Sequence, residues 1–349
     1  MHSSMKIPDR PGLADSASAL DALPKLVSST FLDVNEQSSA LSGWDVHYAQ
    51  LKRGRFSGSC KRLSMDHLEV LRETNNIPLN MYGTAPRCLV FAIPLGMMGN
   101  GSINGLTWAP GSSVIIRGDG GHEAITPPAD VLYLAIDARV LEDYICVVEG
   151  VSLAGWLVHG PIVLAESEQM RALKGYLLDL LDYSFGCALT TLSVQVQRDI
   201  LHEVLACVAP IVLAHLGSPG PSKTSVGRYQ LVQRAREIVL DRAGAPDPVQ
   251  IVDVCRALNV SRRTLQYSFE EVLGLNPATY LRVLRLNRAR RDLLAAKDVG
   301  AVQVKDVVSR WGFWHLSRFS AEYRELYGEL PSATLKKARE CRSSVAAAR

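Results

Sequence analysis

One pattern near the C-terminus occurs twice, 54 residues apart, and few folds can hold both copies. LNVSRRTLQYSFEEVLGLNPA sets Leu265, Phe269, Leu273, Gly274 and Pro277; WGFWHLSRFSAEYRELYGELPS sets Phe319, Tyr323, Tyr327, Gly328 and Pro331 at the same spacing. Apolar and aromatic residues four apart share one helix face, while Gly followed by Pro closes one helix and opens the next. Ahead of the first copy, Ile251, Val254, Cys255 and Leu258 form one face of a shorter helix. Asn259 and Val260 turn the chain, Ser261 suits an N-cap, and Leu265, Phe269, Val272 and Leu273 bury a second helix against the first. The second copy repeats the plan with Val304, Val307, Val308 and Trp311, a turn at Gly312, and a core of Phe313, Phe319 and Tyr323. Two short helices joined by a tight turn are a helix-turn-helix, whose second helix fits the major groove of DNA. The expected units span 250–273 and 304–327.

The exposed side chains decide what each unit reads. In the first, Arg262, Arg263, Gln266 and Tyr267 lie near the start of the second helix. Arginine can pair bidentately with guanine and glutamine with adenine. Ser261 and the free amides of the first turn suit a phosphate. The second unit offers Ser317, Ser320 and Ala321 beside Leu316, with His315 and Arg318 for phosphate, so shape and backbone contact are expected to outweigh base reading there. Trp314 stands where a capping Ser or Asp is usual and is expected in the core. Between the units, PATYLRVLRLNRARRDLLAA predicts a helix of about 30 Å at roughly 1.5 Å per residue. That approaches the roughly 34–36 Å of one DNA turn. Arg288 and Arg290 on this spacer are expected on phosphate.

The charge distribution agrees with such a reader. The chain from Arg228 to Arg349 carries 22 Lys and Arg against 13 Asp and Glu, +9, whereas the preceding residues carry 16 against 22, −6. A basic segment on an acidic body is the footprint of a nucleic-acid-binding module attached to something else. No apolar run reaches the roughly 18 residues of a membrane span, and the first residues lack a signal-peptide core, so a cytoplasmic protein is expected. Seven scattered cysteines without a Cys-x-x-Cys pair argue against a zinc module or a disulfide framework.

Residues 1–40 lack periodicity and are expected to be loosely ordered. From about Gly43 to Asp137, CLVFAIP, SSVIIRG and DVLYLAID are strand-length runs between turn formers, which predicts a small β-barrel or sandwich. Helical spacing follows, in ARVLEDYIC, ESEQMRALKGYLLDLLDYS and VQVQRDILHEVLACVAPIVLAHL. The stripe Leu173, Leu177, Leu180 and Leu181 is expected to pack within its own domain. LGSPGPSKTSVG, 216–227, reads as a linker, which leaves 41–215 as one domain and 228–340 as the DNA-binding one.

This arrangement resembles the AraC/XylS family of bacterial transcription regulators. The resemblance is carried by VKDVVSRWGFWHLSRFSAEYRELYGELPS, with Gly312, Phe313, Phe319, Ser320, Tyr323, Gly328 and Pro331 at the family's motif positions. The family often has an Arg where this chain has Ala321. The resemblance implies an α+β, multidomain protein: an N-terminal cupin-like β-barrel with dimerisation helices, which binds a small effector, and a C-terminal all-α domain with two helix-turn-helix units. It implies promoter DNA, a second copy of the chain and RNA polymerase as partners, no cofactor, and an activator. LNVSRRTLQYSFEEVLGLNPATYLRVLRLNRARRDL and QLKRGRFSGSCKRLSMDHLEVLRE are similar to the branch containing the regulator of ethanolamine-utilisation operons, which implies ethanolamine or cobalamin as signal. Members answering quorum-sensing or virulence signals share such phrases. For an effector pocket the aromatic residues in or beside the strands are Trp44, Tyr48, Phe91, Trp108 and Tyr133.

Two other classes compete. A metal-dependent cupin enzyme with a DNA-binding tail needs several His and carboxylate ligands on one face. Only His122 and Glu123 stand together in the strand-rich region, and strand neighbours point to opposite faces. No nucleophile elbow, phosphate loop or dinucleotide fingerprint occurs, so no enzyme is expected. The other class is a constitutive DNA-binding protein whose first domain only dimerises.

Overall fold

The computed structural model describes residues 24–85, 87–153, 161–186, 193–216, 223–242, 249–296 and 302–347. Part of the segment expected to be loosely ordered, 1–40, is regular. β1 (Lys25–Phe31) pairs along β3 (Gly58–Met65), and α1 (Val34–Ser39) starts at Asp33, whose carboxylate caps the amide of Asn35. Residues 1–23 and the central part of the expected linker, 217–222, lie outside the described residues.

The N-terminal region is built on two antiparallel sheets. β1, β3, β4 (Leu68–Asn75), β11 (Ala129–Asp137), β6 (Cys88–Met97), β9 (Ser113–Arg117) and β12 (Ile162–Leu164) form one in that order. β2 (Asp45–Gln50), β5 (Leu79–Thr84), β10 (His122–Thr126), β7 (Gly101–Ile103) and β8 (Leu106–Trp108) form the other. Where a cupin-like barrel was expected, the described strands pair as two separate sheets and close no barrel. Their facing sides enclose one core, with Tyr48, Met81 and Ala124 of the smaller sheet against Leu71, Val90 and Tyr133 of the larger.

The larger sheet is covered on its other side too. Leu63, Phe91, Leu132 and Leu134 pack there against α2 (Ala138–Glu149), α3 (Glu168–Gly186) and α4 (Val194–Leu213). Burial on both faces is why β6 and β11 are apolar along their length rather than alternating. Leu173, Leu177 and Leu181 of the predicted stripe belong to this core.

The C-terminal domain is helical: α5 (Lys223–Asp241), α6 (Ile251–Leu258), α7 (Arg262–Leu273), α8 (Pro277–Ala295), α9 (Val304–Arg310), α10 (Leu316–Tyr327) and α11 (Pro331–Ala347). α5 begins before Arg228, inside the stretch read as linker. α8 starts on Asn276, whose side chain accepts from the amide of Thr279, with Pro277 in the first turn. It then feeds two cores: Tyr280, Leu281 and Leu284 join that of α6 and α7, and Leu286, Ala289 and Leu293 join that of α9 and α10.

Candidate nucleic-acid interface

Each unit forms where the repeat places it. α6 ends at Asn259, which takes the left-handed conformation (φ 52°) at the turn, and Ser261 caps α7 by accepting from the amide of Thr264. In the second unit Gly312 (φ 71°) makes the turn, and His315 stands at the N-cap of α10 without a side-chain capping bond. Leu265 and Phe269 in α7, and Phe319 and Tyr323 in α10, hold the two helices of each unit together.

The first turns of both recognition helices face outward. Arg262, Arg263, Gln266 and Tyr267 are exposed. The Arg263 guanidinium lies 5.4 Å from the centre of the Tyr267 ring and donates to its hydroxyl at 3.2 Å, while Gln266 donates to Glu270 at 3.0 Å. In α10, Ser317, Arg318 and Ala321 are exposed and Ser320 is half-buried; Arg318 donates to Glu322 at 3.0 Å. The 54-residue register aligns Leu316 with Arg262, Ser317 with Arg263, and Arg324 with Glu270. Arg324 is exposed as well. Trp314, expected in the core, is 69% exposed, because Trp311 and Phe313 already fill the space beside Phe319.

The opposite ends of these helices are held by the N-terminal region. The Ser102 hydroxyl donates to the Val272 carbonyl of α7 at 3.1 Å. The carbonyl of Leu326 in α10 accepts from the Gln50 side chain at 2.7 Å and from the Gly54 amide at 3.1 Å. Between these grips the outer face of the smaller sheet lies on α5 and α8. Glu123 and Arg236 pair at 2.7 Å, 2% and 4% exposed, and Asn80 donates to Glu123 at 2.9 Å with the Tyr280 hydroxyl 3.1 Å away. Asn287 and the Gln50 backbone exchange two hydrogen bonds, at 2.9 and 3.1 Å.

The two spacer arginines expected on phosphate belong to this junction. Arg290 is buried. It pairs with Asp33 of the N-terminal region and with Glu329 at 3.0 Å, donates to Tyr323 at 3.0 Å, and lies over the Tyr327 ring. Arg288 donates to the Tyr82 hydroxyl at 2.8 Å. An Arg on a basic helix satisfies a carboxylate or an aromatic face as readily as a phosphate, and sequence spacing alone does not separate the two.

The residues expected around an effector pocket divide. Trp44, Tyr48 and Tyr133 stand together: the Tyr48 hydroxyl donates to Glu73 at 2.7 Å, the Trp44 indole donates to Glu69 at 3.0 Å, and the Trp44 and Tyr133 rings meet edge to face. Trp108 is buried in the same core and donates to the Ser112 carbonyl. Phe91 lies on the far face of the larger sheet, among the helices. Trp44 and Tyr48 also border a cleft of about 1130 Å³ between the two domains, whose walls include Tyr82, Arg288 and Arg291. His47 opens onto it, its imidazole held below its ordinary pKa by burial and then by Arg288 and Arg291. On β10, His122 points into the inter-sheet core and Glu123 the other way, and among the described residues no three His, Cys, Asp or Glu side chains converge to hold a metal.

Glu73 makes the N-terminal region sensitive to pH. Burial raises its pKa to about 7, against smaller opposing effects from Tyr48, Gln37 and Arg62. A carboxyl raised on folding keeps its proton where the unfolded chain has lost it, so stability falls as pH rises from about 4.5 to about 7. The full loss is about 3 kcal/mol. Glu73→Gln is expected to flatten the pH dependence of thermal unfolding over that window and to be more stable than the wild type at pH 8; an unchanged slope would remove Glu73 as its source.

Comparison with known proteins gives the C-terminal geometry its family. The helix-turn-helix domain family matches residues 254–337. Those residues are a helix-turn-helix domain. The helix-turn-helix domain begins inside α6 and ends inside α11, so it takes in both units and the spacer. A "probable thc operon regulatory protein" of Rhodococcus erythropolis is 30% identical over 213 residues, 60% of this chain and 62% of that protein, so the similarity runs beyond the helix-turn-helix domain. The "XylDLEGF operon transcriptional activator" of Pseudomonas putida is 36% identical over 87 residues, 25% of this chain and 26% of that one. The "HTH-type transcriptional regulator GbdR" of Pseudomonas aeruginosa is 35% identical over 112 residues, 32% of this chain and 29% of its own. The chain thus spans less than two thirds of the length of these relatives, and all three are named as regulators rather than enzymes. A solved structure titled as the AraC-like transcriptional activator CuxR covers 82% of this chain and all of its own at 17% identity, with a TM-score of 0.41. No helix among the described residues is long and apolar enough to cross a membrane.

Proposed function

We propose that this chain is a transcription regulator of the AraC/XylS type that binds promoter DNA through both helix-turn-helix units, reads bases mainly with α7, and takes a small effector in its N-terminal region. The observation that carries this reading is the polarity of the recognition helices. Both present their N-terminal turns outward, where base edges are read, and both give their C-terminal turns to the N-terminal region. Arg262, Arg263 and Gln266 contact base edges; Ser261, His315 and Arg318 contact phosphate. A ligand in the cleft walled by Tyr82, Arg288 and Arg291 would touch both domains, so its binding energy acts on their relative position. Beside Tyr82 the cleft wall carries the guanidinium groups of Arg288 and Arg291, while Asp33, Glu36, Asp45 and Glu329 line other parts of it, so the lining offers partners to both anionic and cationic groups of a ligand. Activation, through a dimer that engages RNA polymerase, follows the family resemblance and the names of the relatives.

The test is selection of bound duplexes from random DNA by the full-length protein, followed by footprinting. Two protected major-groove segments about one helical turn apart on one face are expected. Protection of a single groove, or no enriched sequence, would overturn the two-unit reading.

A further inference from the structure

The C-terminal domain exposes few large apolar side chains, and they are not scattered. Among the described residues they are Val252, Tyr267, Trp314, Leu316 and Leu330, so three of the five lie at the leading ends of the recognition helices. Trp314 and Leu316, 69% and 48% exposed, flank the N-cap His315 of α10. Ala321, one turn further, is exposed on the same helix. Aligned by the repeat, these replace the polar set of α7: Leu316 stands for Arg262 and Ala321 for Tyr267. Nothing in the fold requires apolar residues there, since the core of the unit is closed by Trp311, Phe313, Phe319 and Tyr323.

Ser317 and Ser320 are the polar groups beside Leu316 at the leading end of this face, with Arg324 a further turn along it, and a single hydroxyl distinguishes bases poorly because it both donates and accepts. The one apolar feature of a base edge in the major groove is the C5-methyl of thymine. We infer that the second helix-turn-helix is itself a specificity element, which selects thymine through its methyl group with Trp314 and Leu316, while the first unit selects by hydrogen bonds. This rests on the DNA-binding reading above. It assigns specificity to the unit whose polar residues predict only backbone contact. It also makes the two half-sites chemically different: hydrogen-bonding edges under α7, methyl-bearing edges under α10.

The experiment uses full-length protein and a duplex enriched by selection. Thymines in the half-site protected by α10 are replaced one at a time by deoxyuridine, which removes the methyl and leaves every hydrogen-bonding group. At one or more positions affinity is expected to fall roughly fourfold, the worth of burying one methyl-sized group. Trp314→Ala and Leu316→Ser bind the thymine duplex more weakly, and at least one of them no longer distinguishes the two bases at that position. Both side chains are exposed, and unchanged response to base changes in the α7 half-site shows that each variant is folded. Absence of any methyl effect in the α10 half-site, or an effect that survives in both variants, overturns this inference while leaving the two-unit reading intact. Failure to enrich any sequence would overturn both.

Discussion

Arg236→Ala is expected to lower stability by about 3–5 kcal/mol, the cost of leaving a buried carboxylate without its cation. Glu123 and Arg236 come from different domains and are almost completely buried. With Arg236 gone, Glu123 keeps Asn80 and Tyr280 as neutral donors, which do not neutralise its charge in a site closed to water. The guanidinium also lies 4.2 Å from the centre of the Tyr82 ring, so its loss leaves a gap beside that ring. Because the pair crosses the junction, the domains should separate before either unfolds, and thermal unfolding should split into two transitions. Replacing both partners together, Glu123→Leu with Arg236→Met, should recover most of the loss, since a buried ion pair exchanged for apolar side chains of similar size is close to neutral. Unfolding followed by calorimetry measures both variants. A single transition for Arg236→Ala, within about 0.5 kcal/mol of the wild type, would show that the junction does not depend on this pair.

That junction was the part of the molecule least legible in the sequence, and the reason is physical. The helix-turn-helix units announce themselves because local spacing dictates them: aromatic residues four apart, a Gly and a Pro at fixed offsets, a capping Ser. The central strands of the larger sheet are legible too, since both of their faces are buried and their text is continuously apolar. The smaller sheet is different. HEAIT and LNMYGT alternate, as a sheet with one face in water would, yet Asn80 and Glu123 on the outer face are buried against the other domain. A polar residue paired across a junction and a polar residue in water have the same local signature. The same ambiguity placed Arg290 on phosphate. Its partners, Asp33, Tyr323 and Glu329, lie up to 257 residues away in the chain, beyond any periodicity argument. Trp314 misled in the opposite direction, because an aromatic residue beside a core motif is usually core, and only the packed neighbours Trp311 and Phe313 show that the core is already full.

Replacing Arg262, Arg263 and Gln266 together with alanine is expected to cost about a thousandfold or more in affinity for a selected site, by removing the discrimination made in the α7 half-site. Each good bidentate contact discriminates by roughly 1–3 kcal/mol, so two or three of them supply a loss of this size. The helix itself should survive: all three side chains are exposed, Ser261 still caps the first turn, and alanine favours helix. Single replacements should be unequal. Arg263 is held over Tyr267 and bonded to its hydroxyl, so its guanidinium is ordered before DNA arrives and gives up little entropy on binding. Gln266 donates to Glu270 and must exchange that bond for an adenine edge, which reduces its net gain. Salt titration distinguishes base reading from simple attraction. If Arg262 and Arg263 read bases, their loss changes the dependence of affinity on salt little while abolishing preference in the α7 half-site; if they hold phosphate, the slope falls by about one for each and that preference persists. Retained preference for the selected bases of the α7 half-site in the triple variant would remove α7 as their reader.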